Sequence, residues 1–563
     1  MAFEQAEIDR ERAAAEVYRG PRPPRGSDLS VCLAYPNTYP VAMGNLGFQA
    51  VYGLLAEGGV AVERAFLPDR RPFSRVRSFE SGRPLGDFDA IAFSVSFETD
   101  YVHVLDLLAA AGLPLDRRER GDDAPLVVAG GPATFLNPEP LAEFVDLFLI
   151  GEGEAIVPEW LAALRAAGRG RGERLEASAE VAGAYLPGRW AGFAADADQS
   201  RAPRVRRRFV RRLDDAPTRS LFRAPGAVFG EMFLVEASRG CEWGCRFCAA
   251  GFMYRPVRHR SAASLRRDVL AEALPRAETV GLVGAEMASH PGIATLCREI
   301  ASRGARPSPS SLKADLIGPE LAAALGSAGT RTVTLAPEAG SERLRRVINK
   351  NLSEEQILRA AELLGAGGVR GLKLYAMIGL PTETDADVVE IAALAARIRS
   401  RLGGRPGRIT LSINPFVPKP WTPFQWEPMA SLDTVRRRAQ LLRHEAARRA
   451  GARVELESPR AAYWQTLLSR GDRRVADLLR EVHRAEGRFW PVVQRARRQG
   501  GLGACPSPDE FVLRRYASDE VLPWDFIDHG VDKRFLLAEW RKARLERETA
   551  PCDVTSCRSC GAC

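Results

Sequence analysis

The chain has 563 residues, 45% of them hydrophobic, and its 80 Lys and Arg against 71 Asp and Glu leave a formal net charge of +9. That is material for a large core and about three or four domains. The first residues hold no apolar stretch and nowhere is there a bilayer-length apolar run, which argues against a secretory leader and a membrane span and predicts a cytoplasmic protein. Seven of the ten cysteines fall in two tight clusters, the pattern of metal ligation in a reducing compartment rather than of a disulfide framework. Arginine is spread through every segment and interleaved with acidic residues, so the positive charge does not by itself favour a nucleic-acid partner.

Residues 1–27 read as an N-terminal arm, a helix-prone stretch of Ala, Glu and Arg ending in Pro21-Arg22-Pro23-Pro24-Arg25. Between 28 and 168, short apolar runs at 31–35, 61–67, 90–94, 126–129 and 147–150 alternate with helical stretches such as 46–57 and 101–111. Strands alternating with helices predict a doubly wound parallel sheet that holds a ligand beyond the C-terminal ends of its strands. Three segments suit that place: Ser94-Val95-Ser96, Gly130-Gly131-Pro132-Ala133-Thr134 and Gly151-Glu152-Gly153-Glu154. Residues 169–230, rich in Arg and Gly, read as a linker with strand-like pieces at 183–186 and 206–210.

After a strand-like run at 231–236 comes Ser238-Arg239-Gly240-Cys241-Glu242-Trp243-Gly244-Cys245-Arg246-Phe247-Cys248. Thiolates at Cys241, Cys245 and Cys248 can wrap three irons of a cubane from one loop and leave the fourth iron without a protein ligand. A structural zinc prefers four protein ligands, and His259 is the sole Cys or His that follows within knuckle distance. Phe247 sets an aromatic ring where a purine at the open iron could stack. The loop resembles the signature of the radical S-adenosylmethionine (SAM) superfamily, Cys-x3-Cys-x-aromatic-Cys at the end of the first strand of a partial α/β barrel.

The resemblance continues through candidate strands at 233–236, 279–283, 311–313, 331–336, 371–378 and 409–414, which imply a partial barrel over 231–428. Gly284-Ala285-Glu286 lies where the family places a Gly-Gly-Glu-like turn for the amino group of SAM, making Gly284 and Glu286 candidate cofactor-binding residues. The segment from Ala336 to Leu344 resembles the family's Glu-(Ser/Ala)-Gly-Ser element. There Glu338 and Ser341 are candidates to meet ribose hydroxyls or an ammonium, and Gly340 permits a close backbone approach. The segment from Met377 to Thr384 looks like the element whose backbone pairs with adenine, with Ile378 and Gly379 as its candidates and Tyr375 where the family has a leading glycine. Lys313, at a barrel strand end with Asp315, completes the cofactor-binding set.

Beyond 429 the chain reads as a helical C-terminal region with an amphipathic stretch at 432–449. Its last twelve residues hold Cys552, Cys557, Cys560 and Cys563, enough ligands for a second metal centre, zinc or iron–sulfur. The sheet over 28–168 resembles the cobalamin-binding-like domain found ahead of many radical SAM cores, on Gly130-Gly131-Pro132 and Asn137-Pro138-Glu139. Tyr35-Pro36-Asn37-Thr38-Tyr39 stands where an Asp-x-His-x-x-Gly would offer a histidine to cobalt.

The expected fold class is therefore α/β: an N-terminal doubly wound parallel sheet, then a partial (β/α)6 barrel, then a helical C-terminal extension. The resemblance implies a [4Fe–4S] cluster and SAM as cofactors, reductive cleavage of SAM to a 5′-deoxyadenosyl radical, and a reductant such as flavodoxin or ferredoxin. Cobalamin is the third candidate cofactor; with it the expected reaction is methyl transfer to an unidentified substrate. Three alternatives stand beside it. One is a non-methylating radical SAM enzyme with a vestigial first domain. The second is an RNA-modifying methylthiotransferase, whose relatives carry more cluster-binding cysteines where this chain has Cys32 alone. The third is a zinc-stabilised nucleic-acid-binding protein.

Overall fold

The computed structural model describes residues 2–24, 26–71, 73, 75–190, 203–402 and 408–563, so residues 191–202 of the expected linker lie outside the described residues. Five strands, β1 (Ser30–Thr38), β2 (Ala61–Leu67), β3 (Ala90–Ser94), β4 (Leu126–Gly130) and β5 (Leu147–Leu149), lie parallel in the order 2-1-3-4-5. β6 (Ala184–Tyr185) closes one edge antiparallel to β5. The strands are buried along nearly their whole length, as a sheet covered on both faces demands. Helices Leu46–Glu57 and Gly153–Ala166 cover one face through Phe48, Leu55, Ile156 and Trp160. Helix Tyr101–Ala110 covers the other, and the core beneath it runs on without a break into the barrel and the C-terminal helices.

This first layer takes in part of the stretch that composition presents as a linker. Helix Arg171–Ala179 packs beside β6, held by ion pairs from Arg171 to Asp146 and from Arg174 to Asp89. Those are tertiary contacts, which an Arg- and Gly-rich composition does not reveal.

The barrel strands fall in two parallel sheets. β7 (Met232–Glu236), β8 (Thr279–Val283) and β9 (Arg306–Pro309) form one; β10 (Thr332–Glu338), β11 (Gly371–Ile378), β12 (Arg408–Pro415) and β13 (Arg453–Leu456) form the other. The third strand is thus at Arg306–Pro309 and not at 311–313. Pro307 and Pro309 count against a strand on paper, but β9 is an edge, where a missing N–H is tolerated. β13, reached through helix Leu432–Ala450, adds a seventh strand from beyond residue 428.

The C-terminal helices fold back onto the first sheet. Lys419, Gln465 and Ser469 all donate to the buried Glu98 carboxylate. Asn137 donates to the carbonyls of Ser469 and Gly471, and Arg473 meets Glu139 and the Tyr185 hydroxyl. Among the described residues no helix is long and apolar enough to cross a membrane.

His529 belongs to the same seam: it is buried, edge-on to Trp421, and its Nε2 donates to the Phe135 carbonyl at 2.9 Å. Burial, with the nearby Arg207 charge adding to it, lowers its pKa to about 3. An unfolded histidine titrates near 6.5, so as the pH falls from there towards 3 the unfolded chain takes up a proton that the folded chain refuses. Stability is therefore present above about 6.5 and lost on acidification. Urea denaturation at pH 7.5 and 5.5 is expected to show His529→Gln losing about 1.4 kcal/mol less than wild type between the two; an unchanged loss contradicts this.

Candidate functional site

The cysteine loop leaves β7 and is pinched at its base by a short antiparallel ladder, Ser238–Arg239 against Arg258–His259. Gly240 takes φ +84°, and a Cβ there would stand 2.6 Å from the Tyr254 carbonyl oxygen, so only glycine starts the loop this way. Cys241, Cys245 and Cys248 are all free thiols, Cys245 buried and the other two half-buried. The Cys241 thiol feels the charges of both others. Burial pushes Cys245 up to about 11 against the pull of Lys350.

Two lysines, Lys350 and Lys313, place positive charge at this site, and Lys350 feels all three thiols. Burial alone would lower it, but Glu338 and all three thiols outweigh burial and raise it. Its Nζ is 3.6 Å from Glu338 Oε1, and Glu338 itself holds φ +66°, a left-handed backbone that residues other than glycine rarely adopt. Asn349 and Asn351, on either side of Lys350, are left-handed too, at +55° and +48°. Asparagine tolerates that conformation, so the Asn-Lys-Asn run can turn tightly and aim its lysine at the thiols. Three thiols gathered near two lysines, Lys350 half-buried and Lys313 buried, fit ligands that bind as thiolates. Among the described residues no three His, Cys, Asp or Glu side chains close on a point where a single ion would sit. A cubane takes one thiolate per iron.

Beside the loop lies a cavity of about 460 Å³. From the first sheet it is lined by Asn45, Ser94, Ser96, Gly130 to Pro132 and Gly151 to Glu154, the post-strand segments of β1, β3, β4 and β5. From the barrel it takes Arg239, Gly240, Ala250, Tyr254, Gly284 and Ala285. A doubly wound sheet of this strand order is expected to bind its ligand at this place, outside the carboxyl ends at the β1/β3 reversal. Charge ties the two walls together. Glu152, buried, is paired with Arg207, Arg239 and Arg258 at 3.4, 2.8 and 2.7 Å. Burial alone would raise the Glu152 carboxyl, but the Arg258 hydrogen bond and the Arg239 charge hold it below its ordinary value. Arg239 also reaches Glu154 at 3.0 Å and Glu236 at 2.6 Å.

The remaining residues singled out from sequence are brought near the loop with their polar groups already engaged. Glu286 accepts from the backbone N–H groups of Ala288, Ser289 and Lys313. Lys313 donates to Asp315 and to the Asn351 carbonyl, and its ammonium stands 3.7 Å over the Trp243 ring. Gly284 exchanges two hydrogen bonds with the Ser310 hydroxyl. Ser341 caps helix Glu342–Val347 through Leu344 and donates to Asp387. The Ile378 carbonyl accepts from the Phe416 N–H, and the Gly379 N–H goes to Glu383 at 2.6 Å. Phe247 packs against a wall that includes Met377, Leu380 and Phe416. Gly340 makes its close approach to the backbone of helix Asp385–Arg401.

The C-terminal cysteines come to the same loop, which sequence alone does not foretell. The Cys552 N–H donates to the Glu242 carbonyl at 2.8 Å, and Thr549 is clamped between Asn349 and Asn351. Arg246, fully buried between Cys245 and Phe247, binds Glu539 and the carbonyls of Arg346, Val347 and Arg547. Lys350, Asn349, Arg239 and Arg246 are the residues that the sequence reading passed over. The Asn-Lys-Asn run was the available signal; the arginines are lost among so many others.

A family model described as "Radical SAM proteins, N-terminal" matches residues 47–187, and one described as "Radical SAM superfamily" matches residues 235–395. The chain is 30% identical over 458 residues to "Uncharacterized protein MJ0966" of Methanocaldococcus jannaschii, covering 80% of this chain and 90% of that one. It is 26% identical over 233 residues to a hopanoid C-3 methylase of Methylococcus capsulatus, 40% of this chain and 39% of the methylase. Among solved structures, the radical SAM methyltransferase TsrM of Kitasatospora setae, with cobalamin and a [4Fe–4S] cluster bound, matches with TM-score 0.48 and 18% identity over 71% of this chain and 77% of that chain.

Gly340 gives a prediction that separates packing from ligand approach. A Cβ there would lie 2.2 Å from the Ile391 backbone nitrogen, which no rotamer relieves. Gly340→Ala is expected to destabilise the fold by roughly 1–3 kcal/mol with or without ligand, as overpacking does. A thermal melt that leaves the variant as stable as wild type contradicts the assignment.

Proposed function

Because this chain belongs to the radical SAM superfamily, we propose that it cleaves SAM reductively at a [4Fe–4S] cluster held by Cys241, Cys245 and Cys248, and that it transfers a methyl group with the help of a cobalamin in the adjoining cavity. When bound, the cluster supplies the electron that splits the sulfonium of SAM. The chain's own residues do the rest. Lys350 balances the negative charge of the three thiolates, and Glu338 keeps Lys350 charged and in place. Phe247 and the strand ends of β10 and β11 form the wall against which an adenosine can lie. The apolar lining of the cavity, among it Leu46, Ala50, Phe93 and Trp160, keeps water from a radical.

The observation that carries the methyl-transfer reading is the single cavity shared by both walls. Its first-sheet side is made of the glycine-rich post-strand turns, where a planar cofactor can approach the backbone, and its other side is formed by Arg239 and Gly240 at the base of the cysteine loop with Ala250 and Tyr254 beyond it. The part-length likeness to a hopanoid C-3 methylase supports the same reading. No histidine follows β1, so a corrinoid here would be held without a protein ligand from that turn.

Protein purified without oxygen and reconstituted with iron and sulfide is expected to release 5′-deoxyadenosine from SAM with dithionite and to retain added hydroxocobalamin on a desalting column. Replacing Cys241, Cys245 and Cys248 by Ala abolishes cleavage with the fold retained; retained cleavage overturns the proposal. Ala50→Trp, which fills the cavity from helix Leu46–Glu57, is expected to lower corrinoid retention at least tenfold, a change of about 1.4 kcal/mol or more, while deoxyadenosine release persists. Equal retention removes cobalamin from the account.

A further inference from the structure

The four tail cysteines have a neighbour that nothing so far explains. Arg255 is 6% exposed. Its Nε donates to the Gly251 carbonyl at 2.7 Å, and among the described residues no carboxylate pairs with it. A buried guanidinium is rarely left without an anion, because desolvating an unpaired charge is expensive. Arg255 lines one cavity with Gly561, Ala562 and Cys563 of the tail. The guanidinium also reaches the cysteine loop, with one nitrogen 3.6 Å from where a side chain on Gly244 would begin. It therefore lies between the two groups of cysteines.

The tail itself is built as a site. All four thiols are free. Cys560 is buried in an apolar cluster with Phe252 and Val531, and its carbonyl accepts from the Asp532 N–H. Cys563 is exposed and borders an open cavity of about 380 Å³ whose rim carries Arg206 and Arg211. Cys560 is thus dry, Cys552 is half-buried and meets the cysteine loop, and Cys563 faces solvent. Zinc draws four sulfurs to within about 2.3 Å of one point. An iron–sulfur cube takes one thiolate at each corner, and the Cys552 N–H bond to the Glu242 carbonyl, beside Cys241, sets this group against the first cysteines, where a redox centre can pass an electron.

We infer that Cys552, Cys557, Cys560 and Cys563 hold a second iron–sulfur cluster, with Arg255 as its counter-ion, and that this cluster is the entry point for electrons bound for the centre at Cys241, Cys245 and Cys248. One electron leaves a reduced carrier protein of the flavodoxin or ferredoxin kind, which is oxidised. The tail cluster is reduced by that electron and reoxidised as it passes to the first centre, with no bond made or broken at the tail. The short path is the Cys552 to Glu242 backbone hydrogen bond, one residue from Cys241. The role in catalysis rests on the function proposed above, whereas the metal site does not.

The test compares wild type, a variant with Cys552→Ser, Cys557→Ser, Cys560→Ser and Cys563→Ser, and Arg255→Met, all reconstituted without oxygen. Wild type is expected to hold about eight irons and the fourfold variant about four, with the electron paramagnetic resonance signal of its remaining cluster intact, which also reports that the barrel is folded. With dithionite the fourfold variant is expected to form deoxyadenosine within about twofold of wild type, and with reduced flavodoxin roughly tenfold more slowly. Arg255→Met is expected to keep both clusters and to make the tail cluster harder to reduce, since its negative charge is no longer balanced. Zinc in the tail, or about four irons in both proteins, overturns the site. Equal slowing with both reductants overturns the electron path. If wild type cleaves no SAM with any donor, the proposed function fails, while the iron count still judges the tail.

Discussion

Glu152 fixes where the cysteine loop stands. It follows the last parallel strand of the first sheet, is buried, and accepts from Arg207, Arg239 and Arg258. Arg239, two residues ahead of Cys241, turns back to Glu154 and Glu236 as well, so three carboxylates meet three guanidiniums in one closed group. Breaking a buried pair of this kind costs about 3–5 kcal/mol, because it strands a charge without solvent. The cavity depends on this knot: its first-sheet wall and its loop wall are separate in sequence and are set against each other here.

The second constraint lies on the opposite side of the loop. Arg246 draws together the loop, the end of helix Glu342–Val347 and helix Lys533–Arg544, and Asn349 ties Gly244 to the tail at Thr549. The loop is thereby held from both flanks by guanidinium and amide groups, leaving its thiols facing Lys350. Chemistry that passes through radicals needs this rigidity, since a misplaced reactive group meets the wrong hydrogen.

Much of this is legible in the sequence and some of it is not, for physical reasons. The strands at 61–67, 90–94 and 371–378 and the helix at 46–57 follow from local apolar periodicity. The cysteine spacing is a local pattern too, and the family is read from it. Strand β9 is hidden by its two prolines, which only an edge position excuses. Helix Arg171–Ala179 is hidden because its anchors, Asp89 and Asp146, are distant in the chain. At the site, Ser341 and Gly340 look like ligand contacts in a motif; in the fold Ser341 also caps a helix and Gly340 also lets a helix approach, which the motif does not reveal. The meeting of tail and loop rests on single hydrogen bonds across hundreds of residues, for which no periodicity exists.

The central claim is that one cavity joins the cysteine loop to the first sheet and that SAM is held at its edge. The most direct measurement is iron-edge anomalous diffraction from crystals of anaerobically reconstituted protein grown with SAM. The account predicts iron density within bonding distance of Cys241, Cys245 and Cys248, with the adenosine lying along the ends of β10 and β11 and its 5′ carbon turned to the cavity. Zinc at those three cysteines, or SAM bound away from the cavity mouth, contradicts it.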